Sequence, residues 1–200
     1  ARSYGVRVSG SAFKDGRPVE LRSVRRPIDQ GVSYATEDRK TAGLNLIGDI
    51  CENITIAGLG KVAERSVIDR DREAKVAEDF RSRLKIRSTS IRQKAGDLSG
   101  GNQQKVVLSK WIFTMPDVLI LDEPTRGIDV GAKYEIYSII NQLADEGKSV
   151  LFISSELPEI LGICDRIYVM NDGRIVGEFP PEEATQEGIM KCIMQSVREN

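Results

Sequence analysis

The 200-residue sequence contains no histidine. That absence excludes a Ser-His-Asp triad, a Cys-His nucleophile pair and a histidine-ligated zinc site, because each needs an imidazole as base or ligand. Cysteine is scarce too: Cys51, Cys164 and Cys192 are odd in number, widely spaced and form no CxxC pair. Such usage fits reduced thiols in the cytosol and not a disulfide framework. Neither sign of charge dominates, since 29 Lys+Arg face 30 Asp+Glu for a net charge of -1. A general field drawing nucleic acid or an anionic membrane is therefore excluded, and no nucleic-acid partner is expected. No apolar run reaches the ~18 residues of a membrane span, and no signal peptide stands at the start; the chain reads as soluble and unexported. It opens on "ARSYGVRVSG" without an initiator methionine, as a piece of a longer protein would. What is present is 40% hydrophobic residues, enough to give one ordinary domain a core.

Residues 6–21 read as two short strands around "KDGR", with Asp15-Gly16 supplying the positive-φ pair of a tight hairpin, and "IYVMNDGRIVGEF" repeats the device at Asp172-Gly173. "VSYA" (32–35) reads as a strand entering a polar loop, followed by a mixed stretch (45–61) and a charged helix over 69–85 with Val76, Phe80 and Leu84 at helical spacing. "LSGG" opens a helix that runs through "NQQKVVLSKWIFT" and stops at Met115-Pro116. Strands 118–121, 150–154 and 166–170 then alternate with helices 133–145 and 158–163. Nearly all-apolar strands separated by helices predict a parallel sheet covered on both faces, with ligands at the carboxyl ends of its strands.

"VLILDEPT" ends on Asp122 and Glu123, and "VLFIS" runs to Ser155. A strand-end Asp-Glu pair suits phosphoryl transfer: Asp122 holds Mg²⁺ through its water shell, and Glu123 orients or deprotonates an attacking water. The plainer alternative is that Asp-Glu-Pro ends a strand in a turn. Ser99, Gly100 and Gly101 in "LSGGN" expose backbone N–H groups at the positive end of a helix dipole, an anion site without obstructing side chains. The alternative there is a Ser N-cap followed by flexible glycines.

"LSGGNQQKVVLSKWIFTMPDVLILDEPTRGIDVGAKYEIYSII" resembles the signature motif, Walker B strand and D-loop of an ABC transporter ATPase. With "EDRK" and "SSELPEI" the whole chain is similar to the second nucleotide-binding domain of tandem ATPases that power bacterial importers of ribose, galactose and xylose type. The fold this implies is α/β, a P-loop NTPase-like parallel sheet flanked by helices, with an antiparallel β edge and a helical subdomain. It divides into 1–44, 45–114 and 115–200. By the resemblance Asp122 is the Mg²⁺ carboxylate and Glu123 the general base. Ser99, Gly100, Gly101 and Asn102 bind the γ-phosphate of ATP held by an opposing, homologous domain. Asp129 is the D-loop acid and also the natural N-cap of the helix that follows.

The resemblance also shows what is missing. No G-x-x-x-x-G-K-[ST] phosphate cradle occurs; "GVRVSGS" at 5–11 lacks the lysine and alternates like a strand. The family's phosphate loop, first core strand and adenine-stacking aromatic would lie upstream of Ala1, leaving Trp111 and Phe113 as core residues. Glu37 stands where most relatives carry a glutamine, and Ser155 where most carry a histidine; a serine reaches less far and has no imidazole. This domain is therefore expected to act more through residues 99–102, in trans, than through Glu123 in cis. Its expected cofactors are ATP and Mg²⁺. Its expected partners are an upstream homologous domain, membrane permease subunits contacted by residues 37–59 (with Asp38 and Arg39 as test positions) and, indirectly, an external sugar-binding protein. The expected location is the cytoplasmic face of the cell membrane. The basic stretch 81–94 reads as a solvated helix end and loop. A DNA-repair ATPase would carry long heptad insertions, which are absent here. The remaining rival is a non-catalytic docking half-module.

Overall fold

The computed structural model describes residues 9–21 and 23–198. Positions 6–8 of the expected first strand, and 5–8 of the rejected "GVRVSGS" cradle, lie outside them. The hairpin forms as expected from β1 (Ala12–Lys14) and β2 (Arg17–Val19), paired antiparallel around Asp15 (φ 50°) and Gly16 (φ 73°). A short helix, α1 (Arg25–Asp29), leads to β3 (Val32–Ala35), in which Ser33 and Ala35 are buried and Tyr34 faces outward.

The stretch 45–61 holds α2 (Ile50–Thr55), opened by an Asp49/Glu52 capping box. Its Ile50, Cys51 and Ile54 are fully buried. A small hairpin, β4 (Ala63–Glu64) with β5 (Val67–Ile68), precedes the charged helix α3 (Arg70–Arg83), whose N-cap is Asp69. The signature helix α4 (Gly100–Phe113) ends where expected: Met115 takes φ 58° beyond the C-cap Thr114, and Pro116 follows. Phe113 is buried edge-on against Phe80, as core.

Next come β6 (Val118–Asp122), α5 (Val130–Asp145) and β7 (Ser149–Ile153). β3 pairs with β6 in parallel, Val32 opposite Val118 and Ala35 opposite Leu121, and the sheet order is β3-β6-β7. The chain divides into two compact units between Leu151 and Phe152. The second holds α6 (Leu157–Ile163), β8 (Ile167–Asn171), β9 (Arg174–Phe179) and α7 (Gln186–Arg198). Its core gathers around Ile167, Val169 and Ile189.

Two expectations about strands need correction. The strand near 166–170 does not extend the parallel sheet; β8 pairs antiparallel with β9 through the Asp172-Gly173 turn, a local closure that needs no crossover. Nor is β7 covered on both faces, since Leu151 is 50% and Ile153 42% exposed.

α4 is buried on nearly every side, and its lysines go in with it. Lys110 is 7% exposed, and its ammonium donates to the Gly43 carbonyl, tying the helix to the loop after β3. Burial pushes the Lys110 ammonium down to about 8 from 10.5. Between those values the unfolded chain binds a proton that the folded chain lacks, so stability rises with pH through that window. Urea unfolding should show up to about 1.4 kcal/mol gained per pH unit, and Lys110→Met should flatten the slope; an unchanged slope in that variant would remove Lys110 as its source.

Candidate functional site

Asp122 closes β6 at the carboxyl end of the parallel sheet. The Tyr34 hydroxyl, from the outward face of β3, donates to Asp122 Oδ2 at 2.6 Å and orients the carboxylate. Glu123 then takes φ 45°, a left-handed backbone that non-glycine residues adopt at a cost. Its carbonyl accepts from the Arg126 N–H at 3.2 Å, and the Thr125 carbonyl from the Ile128 N–H at 3.3 Å, folding "DEPTRGID" into a tight loop over buried Pro124 and Thr125. Asp129 ends this loop as N-cap of α5, its Oδ1 accepting from the Ala132 N–H at 3.0 Å. The helix therefore starts at Val130, a few residues earlier than the sequence suggests.

Ser99 occupies the N-cap position of α4 with extended backbone, yet its side chain makes no capping bond. Instead the Asn102 amide donates to the Ser99 hydroxyl at 2.9 Å while accepting from the Arg87 N–H at 2.8 Å. The first-turn amides thus stay uncapped by the serine, as an anion site requires. Gly101 has a packing duty beside the phosphate contact read in the sequence. A Cβ there would lie 2.5 Å from the Ala132 Cβ, so its bare backbone admits the start of α5. Deeper in, Lys105, 1% exposed, pairs with Glu135 Oε2 at 2.5 Å and donates to the Lys85 carbonyl at 3.0 Å. The bond from Lys105 holds the Glu135 carboxyl below its usual range. α4 and α5 are fixed to each other at both levels.

The loop after β3 joins this cluster. Asp38 caps the irregular turn Arg39–Gly43 by accepting from the Lys40 and Thr41 N–H groups; bonding from the Thr41 side chain and backbone lowers the Asp38 carboxyl. Glu37 pairs with Arg126, and Arg39 donates to the Arg126 carbonyl at 2.8 Å. Glu37, Asp38, Arg39, Lys40 and Arg126 line a cleft of about 400 Å³. A larger cavity, about 1110 Å³, lies at the opposite, amino ends of β3 and β6, near Gly31 and Asp117, away from these groups. Ser155 belongs to the second unit, exposed in the turn before α6; there Ser154 does the structural work, donating to Glu159 at 2.9 Å and accepting from the Glu156 N–H.

The structure therefore brings Glu37, residues 99–102 and residues 122–129 into one unit. Tyr34 and Arg126 are the members that sequence reasoning missed, while Arg39, read there as a docking position, turns inward to the Arg126 carbonyl. Tyr34 was legible as the outward residue of an alternating strand; Arg126 had no local signal. Among the described residues no group of three or more histidine, cysteine or acidic side chains could hold a metal ion. Among the described residues, too, no helix is long and apolar enough to cross a membrane.

The ABC transporter family model matches residues 6–126. The chain is 58% identical over 195 residues to the L-arabinose transport ATP-binding protein AraG of Geobacillus stearothermophilus, covering 98% of this chain and 38% of that protein. It is 53% identical over 190 residues to the xylose import ATP-binding protein XylG of Geobacillus kaustophilus (strain HTA426), covering 95% and 38%. The chain thus spans well under half the length of these relatives. Among solved structures, the ADP conformation of MJ1267, an ATP-binding cassette of an ABC transporter, superposes with a TM-score of 0.74 at 21% identity, covering 94% of this chain and 77% of that one.

The Gly101–Ala132 approach yields a test. Gly101→Ala forces the two helix starts apart and should cost about 1–3 kcal/mol in urea unfolding; a variant as stable as the parent would show that the approach is not tight.

Proposed function

The chain belongs to the ABC transporter family, and from that premise we propose that it is part of the ATP-hydrolysing subunit of a bacterial monosaccharide importer. The observation that carries this reading is the joint presentation, on one packed pair of helices, of the uncapped amides at 99–102 and the Asp129 loop. Both lie on irregular backbone beside the carboxyl end of the parallel sheet, where ligands of such sheets bind.

MgATP is the substrate. Asp122, steadied by Tyr34, holds the metal through its water shell, and Glu123 orients the attacking water. Residues 99–102 offer N–H groups to the γ-phosphate of a nucleotide bound on an opposing homologous domain. This trans role outweighs the cis one for three reasons. Ser155 supplies only a hydroxyl, Glu37 is already paired with Arg126, and the amides of residues 99–102 stay uncapped by Ser99. The subunit acts at the inner face of the cell membrane, docked on permease subunits that an external sugar-binding protein feeds. Residues 37–59 form the docking surface. Within them Ile47 is 84% and Ile56 55% exposed, apolar side chains that suit a permease helix. Asp38 and Arg39 have internal duties in this structure, so Ile47 is the cleaner test position.

Three measurements test the reading. In the full-length ATPase carrying this segment, Gly100→Val should cut phosphate release by about 10²-fold or more. Glu123→Gln should leave it within about threefold, well short of the ~10²–10⁴ expected for an essential general base; the reverse ranking would place turnover in cis. In membranes containing the permease, Ile47→Asp should leave basal hydrolysis intact and abolish its stimulation by sugar-loaded binding protein, whereas retained stimulation would move the docking surface elsewhere. Taken alone, the 200-residue chain should act as a docking half-module that releases no phosphate steadily; sustained release sensitive to Glu123→Gln would overturn the trans assignment.

A further inference from the structure

The Arg39 guanidinium meets two other segments of the first unit at once. Its Nη1 donates to the Arg126 carbonyl at 2.8 Å. Its Nη2 stands 3.0 Å from where a Cβ on Gly100 would be, and 3.9 Å from one on Gly127. Its own Cβ would lie 3.3 Å from one on Gly43, so the side chain emerges from the close-packed base of the irregular turn. Arg126 answers in the opposite direction by pairing with Glu37. The loop at 37–43 and the loop at 123–128 thus hold each other through an exchange of arginines: one guanidinium on a backbone carbonyl, the other on a carboxylate.

The geometry depends on a fork. Reaching a carbonyl on one side while filling the space over a glycine on the other needs the two separated nitrogens of a planar guanidinium; a lysine head group is a single point. Gly100 has no side chain, so the guanidinium rests against the backbone of the helix start itself. Displacing one therefore moves the other without a flexible intermediary. Arg39 Nε is buried with no hydrogen-bond partner, a cost that local stability does not explain. What the far end of the side chain holds does explain it.

We propose that Arg39 is a positioning residue that couples the loop of Glu37 to the LSGGN helix start and to the loop leading into Asp129. A shift at Glu37 is then felt at the amides of residues 99–102. The inference rests on the function proposed above, in which those amides meet a phosphate, and adds the means by which docking at 37–59 reaches them.

The test uses the full-length ATPase and two readouts. Amide hydrogen exchange reports the coupling without turnover, and steady-state hydrolysis reports its consequence. Arg39→Ala and Arg39→Lys should both speed exchange at 99–103 and 126–129 by about tenfold, leave α3 unchanged, and lower kcat by about tenfold with KM within about twofold. Unchanged exchange at 99–103 would overturn the coupling. So would a rise shared equally by α3, which marks general destabilisation, or full restoration by lysine, which marks charge and not the fork. Gly100→Val in the same background separates the two claims: if it left hydrolysis intact the proposed function would fall, while the exchange data would still decide Arg39.

Discussion

Nothing larger than hydrogen fits at position 101. The Ala132 Cβ stands 2.5 Å from where a side chain would begin, with Ile128 close behind. That single approach sets the start of α5 against the start of α4, and everything proposed to meet a phosphate hangs from it. Ser99 and Asn102 lie on one side of the contact, Asp129 on the other, and the loop back to Asp122 is only as long as the contact allows. Glycine is thus required for closeness of two protein segments, a demand its bareness in the sequence does not announce. Gly100, one residue earlier, is occupied in the same sense by Arg39.

The second layer of the contact is ionic. Lys105 and Glu135 pair one turn deeper, with the Lys85 carbonyl taking another Lys105 proton. The pair contributes little net stability, because desolvating Lys105 offsets much of the attraction and water screens the partly exposed Glu135. Its effect is on alternatives: sliding α4 along α5 would strand an ammonium that is 1% exposed. Lys110 acts similarly toward the loop after β3 through Gly43. The two lysines therefore fix the register of the signature helix against its neighbours, a role that bulk hydrophobic packing, being non-directional, fills poorly.

Elements governed by local chemistry were legible in the sequence. The Asp15-Gly16 and Asp172-Gly173 turns, the start of α4 at Gly100 and its stop before Met115-Pro116 all follow from the few residues that form them. So did the Asp122 and Glu123 strand end. What escaped was set by residues far apart in the chain. Tyr34 meets Asp122 across 88 positions and Arg39 meets Arg126 across 87. In "NQQKVVLSKW" nothing local marks the lysines for burial, yet both are buried because neighbours supply a carboxylate and carbonyls for them. No periodicity announces a partner contributed by another helix. The exposed apolar positions of β7 escaped for the converse reason: a run of apolar residues states that burial is wanted, not that a neighbour is present.

Glu123 then takes on a particular meaning. Its left-handed backbone is a strained conformation for a non-glycine residue, and such strain usually points to a function. Here the turn has a structural reason as well. With φ positive at Glu123, the chain leaves β6, buries Thr125 and Ile128 and delivers Asp129 to its cap, which is what the Gly101–Ala132 contact demands of it. The backbone would need that turn whether or not the carboxylate ever activates a water. Strain at this position therefore does not count for hydrolysis in cis. What the turn serves in either case is the surface built from residues 99–102 and Asp129, the surface proposed above to meet a phosphate.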